Sequence, residues 1–165
     1  MYNKHNLAVA KIASKKTNKP ALASVAFCGN KTVATDSFRL VEVTTCDEEE
    51  AHAPVLVPAA KVSRLKLRKD SFVELSEVGT PIEDTFPDYA PILAEAEKRE
   101  CVTVKVNAVL LYETLKVLAD VGGVTPWVTI SVPTGRGNYP LILNVNNGKT
   151  KQSAKALVMP LLNNK

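Results

Sequence analysis

The chain has 165 residues, 45% of them hydrophobic and 23% charged, with a formal net charge of +4. This is an ordinary globular composition at single-domain length, enough to bury a core, and no stretch approaches the ~18 consecutive apolar residues of a membrane span. The first six residues, Met-Tyr-Asn-Lys-His-Asn, hold no apolar segment of a secretory signal. Cys28, Cys46 and Cys101 are odd in number and far apart, which suits a reducing, cytoplasmic setting better than a disulfide framework.

The charge is unevenly spread. Lys4, Lys11, Lys15, Lys16, Lys19 and Lys31 precede the first acid, Asp36. Such asymmetry fits either a nucleic-acid face or a solvated lysine-rich helix. Residues 5–16 read as that helix: Val9, Ile12 and Ala13 sit at i, i+3 and i+4, opposite Lys4, Lys11 and Lys15. Lys19-Pro20 ends it. Strands are expected at 22–28 and 31–35, joined by Gly29-Asn30, because glycine supplies the positive φ of a tight hairpin turn. A third strand at 38–45 alternates Leu40, Glu42 and Thr44 with Val41 and Val43, before an acidic loop at 47–50.

In the middle, 55–57 reads as a strand, Pro58 opens a brief helix to about 67, and 72–76 reads as another strand. Pro81, Pro87 and Pro91 make 79–98 an irregular linker. A strand at 101–106 follows, and then a helix from an Asn107 cap to Asp120, with Leu111, Leu115 and Leu118 as its apolar stripe and Gly122-Gly123 as its stop. Three strands close the chain at 127–132, 139–145 and 154–162, with turns at 134–138 and 146–149. Helix-then-three-strands thus occurs twice, which predicts an α+β domain with two helix-plus-antiparallel-strand units and both helices on one face.

No catalytic constellation is visible. His5 and His52 are the only histidines and neither stands near a cysteine at metal-ligand spacing. Phosphate loops, nucleophile elbows and zinc-protease signatures are missing, and Asp84 and Asp88, a candidate carboxylate pair, sit on a proline-broken segment. A binding or scaffold protein without cofactor or metal is expected, not an enzyme.

Four segments, in order, resemble the bacterial sliding clamp, the beta subunit of DNA polymerase III. Val33-Ala34-Thr35-Asp36-Ser37-Phe38-Arg39-Leu40 is similar to its "ATDGHRL" strand–turn–strand. Val55-Leu56-Val57-Pro58-Ala59-Ala60-Lys61 resembles its "VIVPRK" strand-to-helix junction, and Phe86-Pro87-Asp88-Tyr89-Ala90-Pro91-Ile92 its "FPDYRRVLP" linker. Leu157-Val158-Met159-Pro160-Leu161 resembles its closing "VMPMRL". The departures are a chain far shorter than the family's three domains, a short interval between Ser76 and Phe86, and Ser37-Phe38 where the family usually has Gly-His.

The resemblance implies a DNA-clamp fold in one clamp-like domain over 1–165, with an N-terminal half-module at 1–46, a partial module and linker at 54–98 and a C-terminal half-module at 101–162. It also implies a hydrophobic pocket for peptide tails of polymerases and clamp loaders, of the Gln-x-x-Leu-Phe type. That pocket would comprise Thr35, Ser37, Phe38, Arg39, Leu40, Pro87, Ile92, Leu157, Val158, Met159, Pro160 and Leu161. Duplex DNA would be held non-specifically through phosphates by Lys4, Lys11 and Lys15 and by Lys61, Arg64 and Arg68 at i, i+3 and i+7. The function expected is a clamp-like polymerase processivity factor or a derivative of one, with a homo-oligomer as one option and ring closure left open by the sequence. The alternative is a monomeric interaction module that binds replication proteins without encircling DNA.

Overall fold

The computed structural model describes residues 1–15, 17–44, 53–68, 70–124, 126–134 and 139–161. Lys16, Cys46, the acidic run 47–50, His52, most of the predicted turn at 134–138 and the end of the last predicted strand at Leu162 lie outside these. The chain forms two compact units, Met1–Leu93 and Ala94–Lys165.

The first unit contains β1 (Tyr2–Asn3), α1 (Lys4–Ala8), β2 (Ser24–Cys28), β3 (Lys31–Thr35), β4 (Leu40–Thr44), β5 (Val55–Pro58), α2 (Ala59–Val62), β6 (Phe72–Val73) and α3 (Leu75–Val78). Four strands form an antiparallel sheet in the order β4-β3-β2-β5, and β1 pairs separately with β6. Gly29, at φ +59°, turns β2 into β3 as the Gly-Asn pair predicts.

Pairing register sorts the side chains, because alternate residues of a strand face opposite sides. Val25, Phe27, Ala34, Val43 and Val57 share one face, with Tyr2, Leu7, Val9 and Val62 packed against it. Phe27 is wholly buried and meets Tyr2 edge-on at 4.8 Å. Asn6, also fully buried, donates to Thr32 Oγ1 at 3.3 Å and to the Val43 carbonyl at 3.4 Å, while the Thr32 hydroxyl donates to the Asn6 carbonyl at 3.0 Å. The knot ties α1 to β3 and β4 with every buried polar atom partnered, since each one left unpaired costs about 1–3 kcal/mol.

The opposite face carries Ala26, Val33, Leu56, Leu40 and Glu42. A 3-10 turn at Pro20–Ala23 and the segment 82–89 cover it, burying Ala21 and Phe86. Ile82 pairs with Leu56, its N–H donating to the Leu56 carbonyl at 2.9 Å. Asp84 Oδ2 accepts the Ala21 N–H at 2.8 Å. This carboxylate therefore clasps the linker to the 3-10 turn at Pro20–Ala23.

Local departures have tertiary causes. The predicted helix at 5–16 is α1 plus a 3-10 turn at Val9–Lys11; the Ser14 N–H, which would have extended it, donates instead to the Leu22 carbonyl at 2.8 Å. The helix opened by Pro58 ends at Val62, so Arg64 and Arg68 stand beyond it. The predicted strand 72–76 stops at Val73, where Glu74 caps α3 through a 2.9 Å bond from its N–H to the Glu77 side chain. The supposedly irregular linker contains α4 (Ala90–Glu97), with Pro91 in its first turn, where no helical N–H is lost.

The second unit is built on α5 (Ala108–Gly122), β7 (Val128–Ser131), β8 (Leu141–Asn146) and β9 (Ser153–Val158). The strands form an antiparallel sheet in the order β7-β8-β9, and the helix packs on one face. Leu118, Leu141, Leu143, Val145 and Val158 are buried there, with Leu111 and Leu115 packed against them. Asn107 caps the helix as predicted, accepting from the Val109 and Leu110 N–H groups at 2.9 and 3.3 Å. The two stop glycines act differently. Gly123 adopts φ +81°, whereas at Gly122 a Cβ would come within 2.6 Å of Pro126 and 2.8 Å of Val145. The predicted strand at 101–106 is reduced to a bridge between Val106 and Pro160, with the Leu161 N–H on the Lys105 carbonyl at 2.7 Å.

Candidate functional site

β3 and β4 are joined by a tight turn that the side chain of Asp36 builds. Its Oδ1 accepts the Phe38 and Arg39 N–H groups, both at 3.1 Å, and its Oδ2 accepts Arg39 Nε at 2.9 Å. Thr35 closes the other side: its hydroxyl donates to the Arg39 carbonyl at 2.8 Å and accepts the Ser37 N–H at 3.1 Å. Ser37 is thereby held at φ +76°, a left-handed conformation that costs a non-glycine residue about 1 kcal/mol. This is the position where the clamp family usually carries glycine, so the bond network substitutes for glycine's freedom. Desolvation alone would raise the Asp36 carboxyl, but the bonds from Phe38 and Arg39 hold it below its ordinary value.

The turn forms one wall of a cleft of about 280 Å3. Thr35, Ser37, Phe38, Arg39 and Leu40 line it from the strand side, and Pro87 and Ile92 from the linker side. These are seven of the predicted pocket residues, drawn from two segments about 50 positions apart, and the first unit brings them to one place. Phe38 is 97% exposed and Ile92 70% exposed. Neither supports the core, so both are free to meet a ligand. Leu40 does both: it lines the cleft and is half-buried against the core cluster of Ala21, Ala26, Val33, Leu56 and Phe86.

Leu22, Asp88, Tyr89 and Leu93 complete the lining and were missed. Asp88 and Tyr89 stood inside a quoted motif, so the signal was present. Leu22 enters through the turn after Pro20, which no periodicity announced. Tyr89 donates from its hydroxyl to Glu42 Oε2 at 2.7 Å, and Lys31 Nζ lies 3.0 Å from Glu42 Oε1. Burial opposes the Glu42 charge, yet the Tyr89 and Lys31 bonds outweigh it and hold the carboxyl below its ordinary value. The Tyr89 hydroxyl is correspondingly pushed up, first by burial and then by the Glu42 carboxylate.

The remaining predicted pocket residues belong to the second unit. Leu157, Met159 and Leu161 are exposed there, and Pro160 is half-buried at its bridge to Val106. Val158 points the other way, buried at 4% exposure with Leu118 and Leu141. It belongs to the core and offers no surface to a peptide.

The basic residues are regrouped. Lys4 and Lys11 line a groove with Lys66, which the sequence did not single out, between α1 and α2. Lys11 also reaches a second groove, shared with Lys15, Asp36, Phe38 and Arg39. Lys61, Arg64 and Arg68 are exposed but do not form a stripe on one helix, because α2 is a single turn. Among the described residues no group of His, Cys, Asp and Glu is placed to hold a metal ion, and Cys28 and Cys101 are free thiols. No helix of the described residues is long and apolar enough to cross a membrane.

No family profile matches the sequence. No curated protein matches it either. Among solved structures, the fold is similar to a crystal structure from Eubacterium rectale ATCC 33656 provisionally assigned as a DNA polymerase III beta subunit, with a TM-score of 0.68 at 11% sequence identity. The match covers 94% of this chain and 47% of that one, so the chain spans about half the length of its structural neighbour. The mixed helix and antiparallel-sheet architecture is thus of the clamp type that the sequence motifs implied.

Proposed function

We propose that the chain is a non-enzymatic, clamp-like protein of DNA replication, a polymerase processivity factor or a derivative of one, which docks short peptide tails of replication proteins. The observation that carries this reading is the cleft, where seven residues implied by the clamp resemblance line one largely apolar depression. Exposed Phe38, Ile92 and Leu93, with half-buried Leu40 and Tyr89, supply apolar walls for a Leu or Phe anchor. Arg39 and Asp88 stand at the rim, where charge orients a ligand more than it tightens one. Duplex DNA is the second partner, bound through phosphates by Lys4, Lys11 and Lys15 with Lys61, Arg64, Arg68 and Lys66. The protein acts in the cytoplasm without a cofactor.

Calorimetric titration with a Gln-x-x-Leu-Phe peptide tests the docking. A few anchors in so small a cleft correspond to a micromolar complex, roughly −8 kcal/mol. Absence of heat at millimolar peptide, or equal binding of a scrambled peptide, contradicts it. Light scattering of the same samples separates a ring-forming oligomer from the monomeric module, which would keep the cleft without encircling DNA.

A further inference from the structure

One interaction at the cleft is unexplained by packing alone. The linker crosses the sheet face and could be held by apolar contacts of Phe86, yet it also carries a partly buried polar chain to β4 and β3. Tyr89 bridges 47 positions of sequence to reach Glu42, and Glu42 is gripped from its other oxygen by Lys31. Leu40 and Glu42 are two residues apart on β4, so they face the same side. Fixing the Tyr89 hydroxyl on Glu42 therefore ties the linker to the sheet face that carries Leu40, and the Tyr89 and Leu40 side chains both line the cleft. Phe86 supports the ring edge-on at 6.2 Å, and the Tyr89 carbonyl accepts the Leu93 N–H at 3.1 Å, at the start of α4.

We propose that Tyr89, Glu42 and Lys31 form a positioning relay that sets the spacing between the two walls of the cleft. Of the relay only the Tyr89 ring lines the cleft; its hydroxyl, bonded to Glu42, holds the linker wall, with Ile92 and Leu93, at a fixed distance from the β3–β4 turn. This deepens the docking reading and rests on it for its effect on affinity. Three groups face Glu42: the Tyr89 hydroxyl from the linker, the Lys31 ammonium from β3 and the Cys28 thiol from β2. The first two favour its charged form. Burial and Glu42 together push the Cys28 thiol up, so it stays neutral beside the relay. Loss of the Glu42 charge in acid leaves Lys31 unpaired and weakens the grip on Tyr89.

The test compares Y89F, E42A and E42Q with wild type, using an amidated peptide without carboxylates. Y89F and E42A are expected to weaken binding about 3- to 10-fold, and both also lose the modest stability that the bonds to Glu42 contribute. E42Q, like the protonated carboxyl, keeps an acceptor for Tyr89 but leaves Lys31 unpaired, so at neutral pH it binds between wild type and E42A, at the level wild type reaches in acid. It also loses the acid-side weakening that wild type shows as Glu42 protonates; subtracting the two profiles isolates Glu42 from Asp36 and Asp88. Equal affinity of all four proteins, or identical pH profiles of wild type and E42Q, overturns the relay. A second readout is independent of the peptide: amide exchange at Leu93, whose N–H the Tyr89 carbonyl accepts, is expected to quicken in Y89F. Unchanged exchange refutes the relay even if no peptide binds. Failure of wild type to bind, with quickened exchange in Y89F, refutes the docking reading alone.

Discussion

Phe38 offers a clean separation of binding from folding. Its side chain is 97% exposed beside the cleft, on a turn whose bonds run through Thr35, Asp36 and backbone groups. Phe38→Ala disturbs no buried packing, so its effect on stability should stay within about 0.5 kcal/mol, or roughly 2 °C in melting temperature. A docked peptide changes the balance. Fully covering an aromatic side chain buries about 150–250 Å2, so covering one side of the ring removes about 100 Å2 from water. At about 25 cal/mol per Å2 that is worth roughly 2.5 kcal/mol, and ordering the ring takes back about 0.5–1 kcal/mol. The expected loss for Phe38→Ala is therefore about 1.5–2 kcal/mol, or roughly 10- to 30-fold in Kd. Fluorescence anisotropy with a labelled Gln-x-x-Leu-Phe peptide reads the affinity, and thermal melting reads the fold. A Kd within twofold of wild type refutes the placement of the peptide beside Phe38. A drop of more than about 5 °C in melting temperature refutes the reasoning that the ring is free of the core.

Gly122→Ala should destabilise the second unit by about 1–3 kcal/mol, because the new methyl meets Pro126 and Val145 inside van der Waals distance; denaturant titration followed by Trp127 fluorescence measures it. Stability should fall as pH drops below the ordinary glutamate value of 4.5, since folding lowers the Glu42 pKa and the unfolded chain then binds the proton more readily. Melting curves from pH 7 to 3 should show this loss, and Glu42→Gln should flatten part of it. Binding to duplex DNA should be weak and independent of sequence, and should weaken steeply with salt. Reversing Lys11 and Lys15 to Glu should shallow the log–log salt slope by about 0.9 for each phosphate that is no longer neutralised; a sequence preference would count against the clamp reading.

What could be read from the sequence was what local chemistry writes down. Gly29, Asn107 and Gly123 marked their turn, cap and stop, because each answers to a backbone requirement within a few residues. The cleft was legible for the same reason: its walls are two short motifs, 35–40 and 87–92, each continuous in sequence. The basic face was less so. Its predicted stripes assumed helices of three turns, whereas α1 yields at Val9 to a bond between Ser14 and Leu22, and α2 ends at Val62. Lys66 joins Lys4 only through tertiary packing, which no spacing along the chain encodes. Prolines misled in the linker, since Pro91 occupies a first-turn position that a helix tolerates. Val158 stood among the pocket residues through the closing motif that the clamp resemblance carries, but strand alternation turns it into the core between Leu157 and Met159.

The docking claim is tested most directly by mapping a Gln-x-x-Leu-Phe peptide onto the protein through backbone amide shifts during titration. The account predicts saturable shifts at Thr35 to Leu40 and at Asp88, Tyr89, Ile92 and Leu93, with a micromolar midpoint and little movement on α1 or β5. Shifts concentrated elsewhere, or no saturable shift at millimolar peptide, would contradict it.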